Sequence, residues 1–93
     1  MGKEALEDNK DRIDDTILIL SSALKSAKKQ KASLEKYCAE IAGTMDQLKT
    51  NSARQELAEI TQMNYKKMIE LEINIAAMEK NIKDFKLMRI LMF

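Results

Sequence analysis

The apolar residues of this chain climb a ladder of alternating three- and four-residue steps that loses its phase once, near residue 51. Leu6, Ile13, Ile17, Leu20, Leu24, Ala27, Leu34, Cys38, Ile41, Met45 and Leu48 fit one ladder. Leu57, Met68, Leu71, Ile75, Met78, Ile82, Phe85 and Met92 fit a second. Such spacing places side chains on one face of an α-helix. Carrying the first ladder past Leu48 would put Ser52, Gln55, Glu59 and Gln62 on the apolar stripe, so one continuous helix cannot bury both segments on one side. The expectation is an all-α antiparallel hairpin of two long helices joined along a coiled-coil seam. It forms a single unit over residues 1–93, with helix one at about 4–49, a turn at about 50–52 and helix two at about 53–91.

Heptad lettering sharpens this expectation. Lys10, Ile17, Leu24, Lys31, Cys38 and Met45 take position a of the first helix, and Leu6, Ile13, Leu20, Ala27, Leu34, Ile41 and Leu48 take d. In the second helix, Arg54, Thr61, Met68, Ile75, Ile82 and Arg89 are a, while Leu57, Asn64, Leu71, Met78, Phe85 and Met92 are d. Antiparallel seams set a against d. Reflection about residue 51 does this in every layer, pairing Met45 with Leu57, Cys38 with Asn64, Leu34 with Met68, Ala27 with Ile75 and Ile17 with Phe85. Antiparallel helices also bring their e positions together, which predicts Lys28 near Glu72 and Asp14 near Lys86, both of opposite charge. Its centre lies in Lys49-Thr50-Asn51-Ser52-Ala53, the most turn-like stretch, where Asn51 or Ser52 could cap the second helix and Ser52 with Gln55 has capping-box spacing.

Composition agrees with helices. Proline is absent, glycine occurs twice, and the apolar 45% is built largely from Leu, Ile, Met and Ala. Sixteen basic and fifteen acidic residues leave a net charge of +1, so no overall field favours nucleic acid or an acidic membrane. The first residues lack the apolar run of a secretory signal, and Leu6 stands where a myristoylation motif wants Ser or Thr. No apolar run approaches the roughly 20 residues that span a bilayer. A single cysteine on the seam fits a reducing compartment, and the expected location is cytoplasmic.

A two-helix seam leaves many apolar side chains uncovered. Leu18, Ile19, Ala32, Ala39, Ala42, Ile60, Met63, Tyr65, Ile69, Ile73, Ala76, Ala77, Ile90 and Leu91 all fall outside a and d. A solvated hairpin should be polar there, so association is expected, most simply of two hairpins into a four-helix bundle. The g positions Thr16, Ala23, Gln30, Tyr37 and Thr44, facing Asn74, Asn81 and Met88, carry little charge and form the expected second edge. The candidate interface residues are Leu18, Ile19, Ala23, Tyr37, Ile60, Met63, Ile69, Ile73, Met88, Ile90, Leu91 and Phe93.

Catalytic chemistry is poorly supplied. The sequence holds no histidine, no glycine-rich phosphate loop and no paired cysteines, so no catalytic, cofactor-binding or metal residues are assigned and no cofactor is expected. Cys38 reads as a packed seam residue, since a reactive thiol needs exposure. Glu4, Asp8, Asp11 and Asp15 share a helix face but read as solvated acids near a helix N-terminus, where negative charge is favoured. Lys25, Lys28, Lys29 and Lys31 lack the length or interleaved aromatics of a nucleic-acid stripe. Polar seam residues Lys10, Lys31, Thr61, Asn64 and Arg89 read as register markers. The last seven residues, Leu-Met-Arg-Ile-Leu-Met-Phe, are too apolar for a frayed tail and suit docking on a partner chain or on a membrane interface.

The expected function is therefore a non-enzymatic protein–protein interaction module, a coiled-coil adaptor, assembly factor or small chaperone. It would self-associate as a dimer of hairpins, bind a partner helix or assembly, and bind no nucleic acid. The alternative is a membrane-associated or membrane-active helical protein working through its apolar C-terminus. Hairpins of this size also serve as subunits of secretion machines and as excised coiled-coil domains, an analogy of architecture alone.

Overall fold

A computed structural model describes residues 2–93, with side chains from Leu6 onward. Two α-helices, α1 (Gly2–Met45) and α2 (Asn51–Met92), fold back on each other as an antiparallel hairpin. Their Cα atoms span 73 × 16 × 14 Å, a plank two helices wide and one helix thick.

The seam follows the heptad ladders closely. Ile13, Ala27, Cys38, Ile41, Asn64 and Ile82 are buried, and all six occupy a or d. Lys10, Ile17, Leu20, Leu24, Lys31, Leu34, Met45, Leu48, Leu57, Thr61, Met68, Leu71, Ile75, Met78, Phe85 and Arg89 are half-buried. No large side chain among the described residues is fully enclosed. A two-helix contact covers each seam residue on one side only, and Leu6 and Met92, the ladder rungs nearest the open end, stay exposed. There the last turns have no further layer to pack against.

The reversal differs in detail from the expectation. α1 closes at Met45, four residues before the expected end, and α2 opens at Asn51, two residues early. Gln47 N–H donates to Thr44 O at 2.9 Å and Leu48 N–H to Met45 O at 3.3 Å, so tight three-residue steps replace the helical bonds. The five-residue connection, 46–50, lets the backbone cross the roughly 8–10 Å between packed helices. Thr50, rather than Asn51 or Ser52, caps α2. Its extended backbone (φ −110°, ψ 147°) points Oγ1 at the first turn, where it accepts from Ala53 N–H at 3.2 Å. Arg54 leaves the seam and donates from Nε to Leu48 O at 3.2 Å, tying the start of α2 to the connection.

Candidate interaction surface

The two edges of the plank differ in chemistry. On the e edge, Lys28 Nζ lies 3.4 Å from Glu79, Lys31 Nζ 3.5 Å from Glu72 and 3.8 Å from Glu35, and Arg89 Nε donates to Asp14 at 2.8 Å. The expected pairs Lys28 with Glu72 and Asp14 with Lys86 do not form. Helical side chains lean toward their own N-terminus, so in an antiparallel pair each tip meets a partner further along the chain than the residue facing its Cα. Lys28 therefore reaches Glu79, Glu72 goes to Lys31, and Asp14 goes to Arg89. Cys38 follows the same rule, its thiol donating to Met68 Sδ at 3.8 Å rather than facing Asn64 alone.

The g edge carries no cross-helix ion pair among the described residues. Its twelve helical positions are Asn9, Thr16, Ala23, Gln30, Tyr37, Thr44, Ala53, Ile60, Lys67, Asn74, Asn81 and Met88, of which Lys67 alone is charged. The twelve e positions include seven charged residues, Glu7, Asp14, Lys28, Glu35, Glu72, Glu79 and Lys86. Solvated two-helix coils charge both flanks, so the difference marks one edge as the side facing water. A groove of about 530 Å³ opens on the g edge near the middle of the plank. Leu34 and Leu71 line it together with polar Ser26, Gln30, Ser33 and Asn74 and charged Lys29, Lys67 and Glu70.

Exposed apolar side chains are numerous. Fifteen large ones stand in solvent among the described residues, and they include eleven of the twelve candidate interface residues, namely Leu18, Ile19, Tyr37, Ile60, Met63, Ile69, Ile73, Met88, Ile90, Leu91 and Phe93. The twelfth, Ala23, is small and exposed. Ala23, Tyr37, Ile60 and Met88 sit at g, and Ile19, Met63 and Leu91 at the neighbouring c positions, among charged Arg12, Glu40, Glu56, Glu70 and Asp84. Ile69, Ile73 and Ile90 run along the outer face of α2, joined there by Leu87, and Leu18 stands on the outer face of α1. Ile90 and Leu91 are 74% and 76% exposed at the open end of the hairpin. Arg89 lies near Phe93, its guanidinium 5.9 Å from the ring centroid, a cation–π contact within the last turn of α2.

Polar seam residues take varied roles. Lys31 and Arg89 send their charged ends out to carboxylates on the e edge. Thr61 returns its hydroxyl to Leu57 O at 2.8 Å. Asn64 is 8% exposed and its Nδ2 has no hydrogen-bond partner. Asp8 pairs with Arg12 at 3.4 Å, and no cluster of three metal-ligating side chains occurs among the described residues. The side chain of Glu4 lies outside them. No described helix is long and apolar enough to cross a membrane. Comparison with protein-family models, curated proteins and solved structures returns no match for this chain.

Proposed function

We propose that this chain is a non-enzymatic interaction module, a helical hairpin that self-associates and offers a remaining apolar face to a partner helix or assembly in the cytoplasm. The observation that carries this reading is the amount of apolar surface the hairpin leaves open: Leu18, Ile19, Ile69, Ile73, Ile90 and Leu91 are each more than half exposed. Exposed apolar side chains in this number mark contact sites. The seam alone, with no fully enclosed large side chain, is a thin core for 93 residues. Sedimentation at 50 mM and 1 M NaCl tests the proposal. Association through apolar burial persists or tightens at high salt, whereas association through ion pairs weakens. A chain that stays monomeric at both ionic strengths contradicts self-association.

The second reading, membrane association, draws on the exposed C-terminal turn around Ile90 and Leu91. Against it, that end of the plank mixes acidic Glu7, Asp8, Asp11, Asp14 and Asp15 with basic Lys10, Arg12, Lys83, Lys86 and Arg89, so it offers no basic cluster to draw anionic headgroups. Co-sedimentation with phosphatidylserine-containing vesicles, with and without residues 87–93, separates the two readings. The module reading expects no lipid binding by either form. Binding that disappears on truncation supports the membrane reading. A melting temperature raised by a divalent metal or a nucleotide would point instead to a bound cofactor or substrate.

A further inference from the structure

We infer that the g edge is a two-fold interface with a second copy of this chain, the hairpins lying face to face with their turns at opposite ends and the axis passing near Gln30 and Asn74. This rests on the reading of the chain as a self-associating module and specifies its surface. Two observations carry it.

The first is area. A globular monomer of 10.7 kDa exposes about 5,500 Å², whereas this chain exposes 7411 Å². The excess, roughly 1,900 Å² per chain, is what each partner of a large obligate homodimer can bury, where totals run to about 2,000–5,000 Å².

The second is the charge pattern. Among the described residues the cross-helix ion pairs sit on the e edge, while the g positions hold one charge, Lys67, which lines the groove over Leu34 and Leu71 together with Lys29 and Glu70 from the flanking positions. Depletion of charge is the mark of the covered part of an interface.

Orientation follows from which residues would meet. With the turns at opposite ends, α1 crosses α1 of the second copy and α2 crosses α2. Tyr37 then meets Ala23 of the second copy, large against small, and Met88 meets Ile60, apolar against apolar. Gln30 and Asn74 meet their own counterparts near the axis, where side-chain amides pair reciprocally. With the turns at the same end, α1 would lie on α2 of the second copy. That arrangement sets Tyr37 against Lys67, Met88 against Thr16 and Ile60 against Thr44, an apolar side chain against a polar one each time.

Charge substitution tests this, because residues 23 and 37 are about 21 Å apart along α1 and cannot pair within one chain. Light-scattering mass and helicity are measured for the unsubstituted chain, Ala23→Glu, the double variant Ala23→Glu/Tyr37→Lys, and Ser22→Glu on the outer face as a control. The unsubstituted chain and the control should be dimers. Ala23→Glu should weaken dimerisation by at least about tenfold, and Tyr37→Lys should restore it, together with any helicity lost. A monomeric unsubstituted chain overturns both the interface and the self-association reading. A dimer indifferent to Ala23→Glu overturns the g edge alone. Failure of Tyr37→Lys to rescue overturns the opposite-end arrangement.

Discussion

Asn64 and Gly43 are the two residues whose surroundings fit their side chains least well. The orphaned Nδ2 of Asn64 lies buried in the seam, and an unsatisfied buried donor costs about 1–3 kcal/mol. Replacing it with Leu at the same d position should raise the urea midpoint by a corresponding amount, with some loss of the register that a polar seam residue enforces. A lower midpoint would show that Asn64 has a partner in solution. Gly43 sits in α1 with ordinary helical φ, and a Cβ built there meets nothing within 4 Å. Gly43→Ala should therefore stabilise the hairpin by about 0.5–1 kcal/mol in the same assay, chiefly by restricting the unfolded chain. Thr50 is the counterpart among residues that fit. Losing its cap in Thr50→Ala should cost about 1 kcal/mol, while Ser52→Ala should change little. The reverse ranking would return the cap to Ser52.

At the scale of the helices, apolar burial holds the seam and charge tunes it. Ile82 is 7% exposed, and Ile82→Ala should cost about 2 kcal/mol or more. The Asp14–Arg89 pair has good geometry, but its side chains are 47% and 30% exposed. A double-mutant cycle on Asp14 and Arg89 should find a coupling under about 1 kcal/mol that shrinks with added salt. A coupling near that of the Ile82 substitution would mean that electrostatics shares the work of closing the hairpin. Two helices, their direction and the identity of the seam residues were legible in the sequence, because a period of three and four residues leaves little choice of buried face. The low charge of the g positions was legible as well. The ion-pair partners were not legible from heptad letters, which locate Cα atoms but omit the lean of long side chains that takes Lys28 to Glu79. The helix ends were also hidden. Lys49, Thr50, Asn51 and Ser52 can all sit in a turn or a first helical turn, and the choice of Thr50 as cap depends on where Met45 and Leu48 close the seam.

The molecule as a whole is far from globular, with a radius of gyration of 20.9 Å where a compact chain of this length has about 12 Å. An elongated shape follows from placing two helices of 44 and 42 residues side by side, and it leaves a large fraction of their faces to solvent. Either the exposed isoleucines, leucines and methionines are tolerated in water, or another surface covers them. On the function proposed above, a second copy covers the g edge and the outer face of α2 is left for a partner. Small-angle scattering over a micromolar concentration series tests this most directly, since it yields mass and length together. The expected result is twice the chain mass of 10.7 kDa with a longest dimension still close to that of one hairpin, 73 Å between Cα extremes. A single-chain mass across the series, or a length near twice that of the hairpin, would contradict it.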